Sequence, residues 1–197
     1  MHNGNQMAVR LTPNVPRIIA AIYWVIVEAN RRGRQPSQYD IVKTLFLADR
    51  EHLNEWGRPI TYDNYVAMKH GPVPSLCYNL LKSNEKAMRD FGITNLPWSA
   101  RSAPTGYGKK LFTAQDDQLE FEQFLSESDV EALETSLTIV LKLGFSQIRR
   151  LTHEDPAYVE AWREDGDRKA YDMKLELLFE APNVERAQIL AEQSAYV

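Results

Sequence analysis

The sequence predicts a single compact α+β domain, predominantly helical, with about seven helices and one small β-hairpin. Apolar residues recur at i, i+3, i+4 and i+7 over most of the chain. Cap residues, prolines and glycines bracket those stretches, and one pair of short alternating segments near residue 115 breaks the helical period. A length of 197 residues with 44% hydrophobic side chains supports one sizeable core without disulfides.

Residues 1–13 are polar and aperiodic, and are expected to form a mobile tail. Val15, Ile18, Ile19, Ile22 and Ile26 then mark a first helix, with Pro16 in its first turn and Gly33 as its stop. Ser37 caps a second helix, Asp40 favours its positive end, and Gly57 ends it after Trp56. From Ile41 to Ala48 that helix is apolar on nearly every side, which predicts burial between other elements. It turns polar at Asp49-Arg50-Glu51-His52. Glycines and prolines between Gly57 and Ser75 forbid a long regular element, while Tyr62, Tyr65, Val66 and Met68 predict an ordered loop. A third helix opens at Pro74-Ser75 and carries Leu76, Cys77, Leu80 and Leu81 on one stripe.

Residues 92–108, with Pro97-Trp98, Pro104 and Gly106, read as a loop. Leu111-Phe112-Thr113 and Leu119-Glu120-Phe121-Glu122 flank a polar turn at Gln115-Asp116-Asp117 and predict the hairpin. Ser126 or Ser128 caps a helix bearing Val130, Leu133, Leu137, Val140 and Leu141, which Gly144 closes. Ser146 starts a short helix to about Thr152, and Asp155-Pro156 starts another carrying Tyr158, Val159 and Trp162. Two helices, about 171–179 and 184–193, end the chain on either side of Pro182.

A net charge of −4 and 25% charged residues supply no long-range field for wrapping nucleic acid or coating an anionic membrane. The apolar run Ile18 to Val27 is about half the roughly 20 residues a spanning helix needs. The opening Met-His-Asn-Gly-Asn-Gln has no signal-peptide pattern, and a single cysteine suits a reducing compartment, so the expected location is the cytoplasm. His52, His70, Cys77 and His153 have no ligand-pair spacing, so no metal and no cofactor are expected. No G-x-S-x-G elbow or glycine-rich phosphate loop occurs, Glu154-Asp155 and Asp116-Asp117 sit at cap or turn positions, and no catalytic residue is assigned. Arg31, Arg32 and Arg34 form a candidate phosphate contact at a helix end, where cations also complement the dipole.

The most unusual stretch is Asp49 to Pro74. Charges at the end of a buried helix must find partners or reach the surface. His70-Gly71-Pro72-Val73-Pro74 is a rigid turn, with two prolines fixing φ and one glycine permitting close backbone approach. Chemistry alone leaves two readings open, a structural corner or a surface for a partner.

Three blocks carry a resemblance: Lys43-Thr-Leu-Phe-Leu-Ala-Asp-Arg-Glu-His52, Trp56-Gly-Arg-Pro-Ile-Thr61 and Tyr65-Val-Ala-Met-Lys-His-Gly-Pro-Val-Pro-Ser75. With Leu125-Ser-Glu-Ser-Asp-Val-Glu-Ala-Leu133, Leu151-Thr-His-Glu-Asp-Pro156 and Trp162, the chain from about 17 to 165 resembles the Panacea domain of SocA-like antitoxins. That divides the sequence into a tail (1–13), a Panacea domain (14–165) and a C-terminal helical extension (166–197). The resemblance implies a cytosolic bacterial or prophage-associated protein that is not an enzyme. It neutralises a toxin encoded by a neighbouring gene through direct contact, with delivery to the ClpXP protease as an added role. It also marks Asp49, Arg50, Glu51, Tyr65, His70, Gly71, Pro72 and Val73 as signature or partner-binding positions. Gly71, Pro72 and Val73 are expected to shape the corner, and the charged trio to anchor or face the partner. Trp98, Tyr107 and the aromatic residues of 57–75 are candidate anchors. Residues 92–110 and those beyond 165 are candidates for partner specificity. The competing readings are a nucleic-acid-binding autoregulator acting through Arg31 to Arg34 and an enzyme that reverses a toxin's modification.

Overall fold

The computed structural model describes residues 9–104, 109–115 and 119–197. Among them are seven α-helices: α1 (Val15–Arg31), α2 (Gln38–Trp56), α3 (Ser75–Leu81), α4 (Glu85–Asp90), α5 (Glu127–His153), α6 (Pro156–Ala161) and α7 (Val184–Ser194). The strands are β1 (Tyr65–Met68), β2 (Gly71–Pro74), β3 (Trp98–Ser102), β4 (Lys110–Ala114) and β5 (Ala170–Asp172). The class is the predominantly helical α+β one that the sequence predicts.

α2 is the spine. Ser37 and Asp40 form a capping box at its start, and Gly57, left-handed at φ 79, ends it with its amide on the Leu53 carbonyl. Ile41, Val42, Leu45 and Ala48 enter a core built with α1, α3 and the first half of α5, where Ile22, Leu80, Leu133 and Leu137 are fully covered. Phe46 and Leu53 enter a second core with Tyr62, Tyr65, Tyr158, Leu175, Leu178, Phe179 and Leu190. A helix that divides two cores must be apolar on nearly every side, which accounts for the composition of its first half.

Several elements differ from the sequence expectation. The stretch read as a loop between Gly57 and Ser75 contains a tight hairpin, β1 and β2, paired from Tyr65↔Pro74 to Met68↔Gly71. β2 is an edge strand in the order β2-β1-β5, where the missing N–H groups of Pro72 and Pro74 leave no ladder position empty. The expected hairpin near residue 115 takes a different partner: β4 pairs with β3, within the supposed 92–108 loop, and Phe121–Gln123 is a 3₁₀ turn. β3 buries only Trp98, so it lacks the alternation by which strands are read. Asp116, Asp117, Gly106 and Tyr107 lie outside the described residues.

The helix expected over 171–179 is instead β5, paired to β1, followed by a 3₁₀ turn at Leu175–Leu177. The free edge of β1 takes up Ala170–Asp172, while Leu175, Leu178 and Phe179 keep a helix-like apolar spacing on the second core. Within α5 the backbone leaves helical geometry at Gly144 (φ 69, ψ −177), so the span is two helices meeting at the glycine that the sequence marks as a stop, the second running to His153. Residues 9–13, expected in the mobile tail, are held in place: Leu11 is buried and exchanges backbone hydrogen bonds with the Asn64 side chain at 3.0 and 2.9 Å. The rest of that tail, 1–8, lies outside the described residues.

Candidate functional site

The polar end of α2 meets the β1–β2 hairpin through Asp49, which is buried. Oδ1 accepts the amides of Ile60 (2.8 Å) and Thr61 (3.0 Å), and Oδ2 accepts the hydroxyls of Tyr65 (2.8 Å) and Thr61. Burial pushes the Asp49 pKa up, and the hydrogen bonds from Thr61, Tyr65 and Ile60 pull against that rise. The same grip holds Tyr62 at φ 56, a left-handed conformation that is strained for a bulky residue.

Asp63, also buried, accepts the first amides of α3 from Leu76 (3.0 Å) and Cys77 (2.8 Å). It thereby does from across the hairpin what the adjacent N-cap residue, Pro74, cannot do with a side chain. Desolvation raises its pKa to about 7. Cys77 is itself fully buried.

Arg50 points the other way. Its Nε lies 2.6 Å from Asp155, the N-cap of α6, and its Nη1 donates to the Leu178 carbonyl. Asn54 donates to that carbonyl at 3.1 Å and accepts the Glu180 amide at 2.6 Å. Arg50 therefore fastens α2 to α6 and to the C-terminal segment. Arg50→Ala is expected to cost about 2–3 kcal/mol in urea denaturation, because Asp155 stays buried without its cation; a loss under about 0.5 kcal/mol would return Arg50 to the partner-facing class.

Glu51 is partly buried, with its pKa raised by desolvation and by Glu55 and Glu131. His52 is buried, and desolvation lowers its pKa. Its Nδ1 lies 2.8 Å from the Arg58 carbonyl, and its Nε2 lies 3.1 Å from the Ser128 hydroxyl and 3.2 Å from the Asp129 carboxylate. Beside it, Asp129 pairs with Arg17 (2.6 Å) and Arg58 (2.9 Å). Desolvation pushes its carboxyl up, but Arg58, Ser126 and Arg17 outweigh that and hold it below the usual range.

The hairpin tip carries the rest. Gly71 has φ +102, and a Cβ there would lie 2.7 Å from both Lys43 Nζ and Thr152 Oγ1. The Pro72 carbonyl accepts Lys43 Nζ at 2.6 Å. Lys43 is fully buried on α2, and desolvation lowers its pKa to about 7. Val73 is buried, while His70 is exposed and packs edge-on to Phe145 at 5.6 Å. Below the tip, the start of α2, the hairpin and residues 162–169 enclose an open cleft of about 530 Å³ with Lys43 in its lining.

The signature positions thus fall into separate groups. Asp49 and Tyr65 meet directly, Gly71 and Pro72 meet on Lys43, and Arg50 and His70 serve other contacts. Arg31, Arg32 and Arg34 lie apart at the end of α1, where Arg32 is engaged by Glu28 (2.8 Å), Glu134 (3.4 Å) and Thr138 (2.8 Å). Trp98 is a core residue and not an exposed anchor. Among the described residues no group of three or more His, Cys, Asp or Glu could hold a metal ion, and no helix is long and apolar enough to cross a membrane.

A family model described as antitoxin SocA-like, Panacea domain, matches residues 41–158, from the first turn of α2 into α6. The chain belongs to the SocA-like antitoxin family. No curated protein and no solved structure matches it. The matched segment of this SocA-like antitoxin includes Lys43, Asp49 and the whole hairpin; α1, β5, α7 and the 162–169 wall of the cleft lie outside it.

Two residues that organise this region, Lys43 and Asp63, escape sequence reasoning. A signal for Lys43 does exist: it is the one cation within Ile41-Val42-Lys43-Thr44-Leu45-Phe46, a stretch otherwise fit for burial. Asp63 has none, because its cap partners lie 13 and 14 residues away.

Proposed function

We propose that this SocA-like antitoxin neutralises a toxin protein encoded by a neighbouring gene, by binding it directly in a fixed ratio. Family membership supports the antitoxin role, and the observation that carries the contact is the aromatic group at the hairpin tip. His70 and Phe145 are exposed, Phe145 to 49%, and Tyr39 packs on Phe145 at 4.7 Å. Exposed aromatic side chains beside a concave, partly apolar surface are the composition of a protein-binding hot spot.

The test is growth of a bacterial host expressing the adjacent open reading frame, with and without this chain, followed by co-purification. Rescue is expected together with a complex of constant stoichiometry. Rescue at far below one antitoxin per toxin would instead point to catalysis and reject the binding reading. Phe145→Ala is expected to weaken the complex by about 2 kcal/mol with little change in melting temperature, read by titration calorimetry. Equal loss in both would place Phe145 in the structural class.

A further inference from the structure

We infer that the cleft under the hairpin tip receives an acidic segment of the toxin, its carboxylates set against the exposed rim cations Lys69, Arg168 and Lys169, above the buried charge of Lys43. The inference rests on the antitoxin reading above and names the chemistry of its contact.

Lys43 Nζ has three donors and one protein acceptor, the Pro72 carbonyl. At the same wall, Gln38 keeps its amide Nε2 buried without a hydrogen-bond partner among the described residues. Lys69, Arg168 and Lys169 add exposed cations to the lining, and Arg149 stands close enough to lower the pKa of both His70 and His153 after desolvation has done so. Among the described residues none of these five cations has a carboxylate partner, whereas Arg10, Arg17, Arg32, Arg50 and Arg58 all do. The acid in the lining, Glu164, accepts the Trp162 indole N–H at 2.9 Å. In a chain of net charge −4, the lining of this cleft thus holds four cations, Lys43, Lys69, Arg168 and Lys169, against one acid.

Such a concavity attracts an anion, and its walls decide which kind. Tyr39, Tyr78 and Trp162 supply aromatic surface for an apolar body next to the charge. The aromatic group of His70 and Phe145 continues that surface outside the cleft, which suits a polypeptide segment better than a bare ion. The floor, with Lys43, lies inside the segment the family shares. The rim at 162–169 lies outside it, where partner choice can differ between family members.

The test uses the full chain and the co-purified toxin, with association and dissociation rates measured at several salt concentrations. Reversal of the exposed rim (Lys69→Glu with Arg168→Glu and Lys169→Glu) is expected to slow association about tenfold and to flatten its salt dependence. Lys43→Met keeps the length and apolar stem of the side chain but removes the buried charge and its bond to the Pro72 carbonyl; it is expected to raise the dissociation rate about tenfold, and a matching fall in melting temperature would assign that rise to the hairpin instead. If wild type binds the toxin and both variants bind equally well, the cleft is not the seat and this inference alone falls. If wild type does not bind, the antitoxin reading falls and takes the inference with it. If 10 mM inorganic phosphate or adenosine monophosphate raises the wild-type melting temperature but not that of Lys43→Met, the occupant is a small anion and the docking assignment is overturned.

Discussion

Asp49→Ala is expected to destabilise the fold by about 3–5 kcal/mol, as the shift in a urea midpoint would show. Two backbone amides, those of Ile60 and Thr61, would remain buried with no acceptor, and each such donor costs about 1–3 kcal/mol. The two hydroxyls adapt more easily, since Tyr65 also reaches the Leu45 carbonyl at 3.2 Å. Release of Tyr62 from its left-handed φ returns part of the loss. Asp49→Asn keeps an oxygen for the amides and offers the rotatable hydroxyls a donor, so about 1–2 kcal/mol is expected. Equal losses for the two variants would mean that the negative charge, not the acceptor geometry, holds the loop.

Gly71→Ala is the second large effect, at about 2–4 kcal/mol. A φ of +102 is unfavourable for any L side chain, and the new methyl would meet Lys43 Nζ and Thr152 Oγ1 at 2.7 Å. The two contributions separate in a double-mutant cycle. Adding Lys43→Ala to Gly71→Ala removes one clash but leaves the backbone strain, so the pair is expected to recover about 1 kcal/mol relative to additivity. Strict additivity would mean that Lys43 swings clear at no cost and that backbone strain accounts for the loss.

Local signals make α2 legible in the sequence. Ser37 and Asp40 fix its start, Gly57 fixes its stop, and the composition between them predicts its position between two cores. The first half of α5 and the start of α6 were equally plain from Ser126 and Asp155. What stayed hidden depends on pairing at a distance. Pro72 and Pro74 argue against a strand until β2 is known to be an edge. β3 has a single buried residue, and 170–172 becomes a strand because β1 offers it an edge. At the site, Gly71, Pro72 and Val73 predict a rigid turn, and the structure places them in β2 at the end of a tight hairpin. The charged trio is expected to anchor or face a partner; Asp49 turns inward, Arg50 turns to the C-terminal segment, and neither direction is encoded in the spacing of adjacent residues.

The Arg50 and Asn54 fastening bears on how portable the family segment of this chain is. Leu175, Leu178, Phe179 and Leu190 lie outside the matched residues, yet they cover Phe46 and Leu53 within it. Burial of those four side chains is worth about 6–12 kcal/mol, as much as the whole net stability of a typical domain. Residues 41–158 excised or grafted onto another scaffold would present a raw apolar face and aggregate. Chimeras between family members should therefore be joined on the far side of α7, so that each segment travels with its own cover.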